Sequence, residues 1–136
     1  MINDFVTFNI AKKLEKKGFN KDCISYYTTN GDFCINTELS DSNTEQFIKR
    51  YACPTIYHVL KWLRVEKDIL IKIGISYDTA EDADGNVVDR WTFWLFEIFS
   101  ILDGSLIYTE EFEEYNSYEE AACAGIEYVL DNIYII

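Results

Sequence analysis

Trp91-Thr92-Phe93-Trp94-Leu95-Phe96-Glu97-Ile98-Phe99, continuing through Ile101-Leu102 to Asp103-Gly104, is the most apolar and aromatic run of the chain. Its β-branched and aromatic residues suit a pleated, half-buried surface, and its end carries a turn dipeptide. It predicts the central strand of a sheet, apolar on both faces. Trp91, Phe93, Leu95 and Phe99 point one way, and Trp94, Phe96 and Ile98 the other.

The elements around it follow from period and punctuation. Ser105-Leu106-Ile107-Tyr108-Thr109 is its hairpin partner across Asp103-Gly104. Before it, Ile69, Ile71, Ile73, Ile75 and Tyr77 alternate with Leu70, Lys72, Gly74 and Ser76, which predicts a strand over 69–77 with one buried face. Asp78 to Asp89 reads as an acidic connection turning at Asp84-Gly85-Asn86. It is not a calcium loop. With Gly85 at loop position 6, Ala80 and Trp91 would fall where an acidic ligand and a bidentate Glu are required.

Three helices carry their ends in sequence. Thr7 caps a short one whose apolar face is Ile10, Ala11 and Leu14, and Gly18-Phe19 ends it in a Schellman motif. Thr55 caps a second, with Ile56, Val59, Leu60 and Leu63 inward, Trp62 on the flank, and His58, Lys61 and Arg64 outward. Ser117 with Glu120 forms a capping box opening the third, whose stripe is Tyr118, Ala122, Gly125, Ile126, Val129 and Ile133. Between the first two, Cys23–Tyr27 and Phe33–Ile35 flank Asn30-Gly31 as a hairpin, with Tyr27 opposite Cys34 and Tyr26 opposite Ile35. Residues 37–52 are polar, lack a period, and read as loop. The expected architecture is a single α+β domain over 1–136. Its order is α-β-β-α-β-β-β-α, with an antiparallel sheet carrying helices mainly on one face.

Composition narrows function by exclusion. The net charge is −12. It is concentrated after residue 66, where three basic residues stand against sixteen acidic, compared with nine against eight before. Such a surface repels phosphate backbones, so no direct nucleic-acid binding is expected; it would suit a basic protein partner. No window suits a membrane span, and the start has no signal-peptide pattern, so a cytoplasmic location is expected. Cys23, Cys34, Cys53 and Cys123 show no C-x-x-C spacing, and His58 is the single histidine. No metal site is expected, no cofactor is implied, and the cysteines read as reduced, buried thiols. No phosphate loop or nucleophile motif appears, and the protein reads as non-enzymatic.

One pair of residues bears on catalysis. With Asp103-Gly104 as a two-residue loop, Glu97 lies opposite Glu110, and two carboxylates about 5 Å apart would hold a shared proton, as in acid/base sites. A G1 bulge at the turn would instead put Thr109 opposite Glu97.

Pro54–Arg64, Tyr118–Tyr128 and Ala11–Phe19 together resemble a group of short uncharacterised proteins of gut anaerobes and their phages or mobile elements. The resemblance implies an accessory role and assigns no functional residue. Two readings follow. In the first, the protein is an interaction module that self-associates as a homodimer through an aromatic sheet face, with Trp94, Phe96 and Ile98 as the candidate interface. Its counterpart is a monomer in which the first helix and residues 37–52 cover that face. In the second, an acidic inhibitor or nucleic-acid mimic binds a basic protein.

Overall fold

The computed structural model describes residues 4–40, 49–111 and 113–133, with backbone alone at 36–40. The fold is α+β. Its elements are α1 (Phe8–Lys16), β1 (Cys23–Thr28), β2 (Phe33–Ser40), β3 (Arg50–Ala52), α2 (Ile56–Glu66), β4 (Ile69–Glu81), β5 (Val87–Ser100), β6 (Leu106–Thr109) and α3 (Tyr118–Asn132). The strands form two antiparallel sheets rather than one, ordered β2-β1-β3 and β4-β5-β6.

Part of the stretch expected to be loop supplies the first sheet. β2 runs on to Ser40, and Arg50–Ala52 pairs with Tyr26–Thr28 as a third strand. A short polar strand gives no alternation to read, and tertiary pairing decides it. Residues 41–48 of that stretch lie outside the described residues.

The first hairpin is one residue out of the expected register. Tyr27 pairs with Phe33 and Tyr26 with Cys34. The Thr28 N–H donates to the Asp32 carbonyl (2.9 Å) and the Gly31 N–H to the Thr28 carbonyl (3.0 Å). With Gly31 at φ +88°, the loop is therefore Thr29-Asn30-Gly31, a turn followed by a left-handed glycine. Cys23 faces Ser40, so Cys23 and Cys34 are not cross-strand partners. All four cysteines are free; Cys23 and Cys53 are buried, Cys34 and Cys123 partly so.

The helix ends form as the sequence indicates. Thr7 Oγ1 accepts from the Ile10 N–H and Thr55 Oγ1 from the His58 N–H. Ser117 Oγ accepts from the Glu120 N–H, while the Glu120 carboxylate reaches back to the Asn116 N–H. Past α1, Gly18 sits at φ +83° with its N–H on the Glu15 carbonyl and the Phe19 N–H on the Leu14 carbonyl, and the Phe19 ring is buried. Phe19 then packs edge-on against Trp62 (5.2 Å) and His58 (5.5 Å). That draws Trp62 into the core and leaves His58 half-buried instead of on the outer face, where Lys61 and Arg64 remain.

One continuous core joins both sheets and all three helices. It runs from Val6, Ile10, Leu14 and Tyr27 through Ile56, Val59 and Leu63 to Ile71, Phe96, Ile98 and Ile126. α2 and α3 lie on the second sheet, and Gly125 of α3 meets it most closely. A Cβ there would stand 2.9 Å from Ile71 Cγ2 and 3.2 Å from Phe96 Cγ. Lys13 of α1 ties α1 to α3 through Glu127 (3.0 Å) and Asp131 (2.9 Å).

The acidic connection is mostly strand. β4 continues to Glu81 and β5 begins at Val87, with Asp78 opposite Trp91 and Ala80 opposite Asp89. Only Asp82–Asn86 turns. Asp82 exchanges backbone bonds with Asn86 and Gly85, its carboxylate accepts the Asp84 and Asn86 N–H groups, and Gly85 takes φ +83°. The second sheet therefore carries a β-ribbon whose outer half is exposed on both faces.

Candidate functional site

The register of β4 against β5 assigns every side chain of the second sheet to a face. Directly opposed residues share a face, so Ile71/Ile98, Ile73/Phe96 and Ile75/Trp94 form the inner one. Phe96 is 1% exposed and Ile98 0%. Trp94 is half-buried, with its ring edge-on to Tyr118 (5.9 Å). The candidate interface is thus the core face. Helices α2 and α3 cover it; residues 41–48 of the stretch expected to help α1 cover it lie outside the described residues. An aromatic layer completes that cover: Phe96 lies among Tyr108, Tyr115 and Tyr128, and Tyr108 stacks on Tyr128 at 3.8 Å.

The opposite face carries Trp91, Phe93, Leu95 and Phe99 of β5, Leu70 of β4 and Leu106 of β6. Among the described residues no helix or strand lies over it. Leu95 stands opposite Gly74, and a Cβ at Gly74 would meet nothing within 4 Å. Trp91 is anchored at one end, its indole N–H donating to Glu114 (3.0 Å). The β4 alternation shows which face of β4 is buried, but only the β4–β5 register sets its isoleucines beside Trp94, Phe96 and Ile98.

Glu97 and Glu110 are not brought together. The loop after Ser100 closes with the Gly104 N–H on the Ser100 carbonyl (2.8 Å) and the Ser100 N–H on the Ser105 carbonyl (2.9 Å). Ile98 pairs with Tyr108 but Phe99 with Leu106, so Ile107 is an extra, bulged residue and Glu97 faces Thr109. On its other side Glu97 lies opposite Lys72. The Glu110 N–H donates to the Phe96 carbonyl, which puts its side chain on the inner face, away from Glu97. There its carboxylate accepts the Tyr108 hydroxyl (3.1 Å) and the Glu113 N–H (3.2 Å). Burial, then the Glu110 charge, raises the Tyr108 pKa. Glu110 is a local acceptor that shapes the acidic exit from β6.

A cleft of about 440 Å³ lies where α1 and α3 begin, lined mainly by Phe5, Val6, Phe8, Tyr27, Glu119 and Cys123. Its chemistry is quiet. Burial, and Cys53 beside it, push the Tyr27 phenol well above its ordinary range, and its hydroxyl donates to the Val6 carbonyl (2.7 Å). Burial, with Glu127 and Glu119 nearby, raises the Cys123 thiol to about 11, and burial raises Cys53 to about 12. Neither thiol offers a thiolate near neutral pH. His58 is lowered by burial and by Lys61 and Lys21. Among the described residues no group of three or more His, Cys, Asp or Glu is placed to hold a metal ion, and no helix is long and apolar enough to cross a membrane.

No protein-family model matches the chain, and no curated protein or solved structure is significantly similar to it. These comparisons lend no support to the resemblance to proteins of gut anaerobes.

Proposed function

We propose that this protein acts by association rather than catalysis, as an accessory interaction module that binds a second copy of itself through the β4-β5-β6 sheet. The supporting observation is that this sheet displays more apolar surface than the described chain covers. On the outer face Trp91 is 39% exposed while Phe93, Leu95, Phe99 and Leu70 are half-buried, and the ribbon beyond it leaves Ile75 59% and Tyr77 62% exposed. Large uncovered apolar patches mark protein contacts, and a two-fold homodimer is the commonest way to cover one. Light scattering on a sizing column tests the reading. A mass rising toward twice the 15.9 kDa of one chain with concentration is expected, and one-chain mass at high micromolar concentration would overturn it.

A second reading, a basic protein as partner, draws on the ribbon. Asp78, Glu81, Asp82, Asp84 and Asp89 stand there against Arg90 alone, and exposed Glu114 is held beside them by Trp91. Capture of a basic protein that weakens steeply with salt would favour it; salt-insensitive capture would count against it.

A further inference from the structure

We propose that the second copy joins at the free edge of β4, so that two three-stranded sheets merge across a two-fold axis into one six-stranded sheet; this rests on the self-association proposed above. β4 is the outermost strand of its sheet, thirteen residues long. Natural sheet edges are usually blunted by shortness, Pro, bulges or several charges. β4 has no Pro, its one irregularity falls at its end between Ala80 and Glu81, and Lys72 is its only cation. Among the described residues no other strand pairs with its outer side.

Hydrogen-bond parity says which groups are offered. Trp94 exchanges backbone bonds with Tyr115, and the Phe96 carbonyl accepts the Glu110 N–H, so these β5 residues point their backbone away from β4. The β4 residues opposite them, Ile73 and Ile75, therefore point theirs to the free edge, as do Ile71 and Tyr77 by alternation. A second β4, antiparallel, can bond to these groups only in registers that set such residues against one another.

Charge selects among those registers. The charged residues of β4 are Lys72, Asp78 and Glu81. Opposing Lys72 to Glu81 would break the parity and turn one strand's side chains to the wrong face. Opposing Lys72 to Asp78 of the second copy keeps it, and two-fold symmetry makes the pair twice. Both residues are exposed and lie on the outer face. The axis then passes through Ile75, and exposed Tyr77 lies opposite Ile73. Ile75 and Tyr77, 59% and 62% exposed, are thereby set beside the second copy, so edge pairing covers these apolar residues of the ribbon, while the two outer faces lie side by side.

The test measures self-association of four variants beside the wild type by sedimentation equilibrium, with circular dichroism to confirm folding. Ile75→Pro removes an N–H aimed at the free edge, and Pro is tolerated there in the isolated chain; it should leave only single chains. Asp78→Lys sets like charges opposite one another twice and should weaken association about tenfold or more, which Lys72→Asp/Asp78→Lys should restore. Leu95→Glu, on the outer face away from the edge, should still associate. If Ile75→Pro fails to fold, the charge series decides alone. Association unchanged by the edge variants but lost in Leu95→Glu would overturn edge pairing and leave self-association standing. A double variant no better than Asp78→Lys would overturn the register. A wild type of one-chain mass throughout would overturn both readings.

Discussion

Gly125→Ala sets two effects of known size against each other where α3 touches the second sheet. Ala is favoured over Gly in a helix interior by about 1 kcal/mol, so on propensity alone the variant gains stability. The new methyl, however, would stand 2.9 Å from Ile71 Cγ2 and 3.2–3.3 Å from the Phe96 ring. Neither neighbour gives easily. Ile71 is β-branched, buried, and paired with Ile98. The Phe96 ring is held among Tyr108, Tyr115 and Tyr128. Overpacking of this kind costs about 1–3 kcal/mol, so the expected net change is a loss of up to about 2 kcal/mol. Urea unfolding at one fixed protein concentration measures it as a shift in midpoint at constant slope. In an Ile71→Ala background the closest contact is gone and only the Phe96 ring remains, so Gly125→Ala should cost less there than in the wild type. A wild-type chain made more stable by Gly125→Ala would refute the close approach of α3 to β4 and β5.

Other outcomes follow from single contacts. Tyr27→Phe removes the buried hydroxyl that donates to the Val6 carbonyl and should cost about 1–2 kcal/mol in the same unfolding assay; no measurable change would mean the bond is replaced. Gly74→Val adds a β-branched side chain to open space opposite Leu95 and should stabilise the chain by about 0.5–1 kcal/mol, whereas a loss would mean that something occupies that space. His58 should make stability pH-dependent. Its folded pKa lies below the ordinary 6.5, so the unfolded chain takes up its proton first as pH falls. Its contribution is therefore complete above about pH 6.5 and is lost between there and its lower folded value. Asp82 and Asp103, lowered from 3.8, act only at more acid pH, and His58→Gln should flatten the window between.

Local chemistry was legible wherever it was self-contained. The caps at Thr7, Thr55 and Ser117 and the Gly18-Phe19 ending depend on residues within a turn or two, and they formed as written. Hairpin registers were harder: left-handed Gly31 lengthens the first loop to three residues, and the second takes four, Ile101-Leu102-Asp103-Gly104, before the bulge at Ile107 takes one back and leaves Glu97 opposite Thr109. That register separates Glu97 from Glu110. The ribbon was hidden by composition: Asp and Glu are depleted in strands, yet Asp78–Asp89 is solvated on both faces and pays no burial penalty for them. With that hairpin read as a connection, no register ties the faces of the central strand to the isoleucines of β4, so the sequence alone leaves open which face the helices cover.

Sedimentation equilibrium on the wild type beside Ile75→Pro tests the central claim most directly. Twice the 15.9 kDa chain mass for the wild type, and one chain for a folded Ile75→Pro, is the predicted result. A wild type that stays a single chain at high micromolar concentration would contradict it.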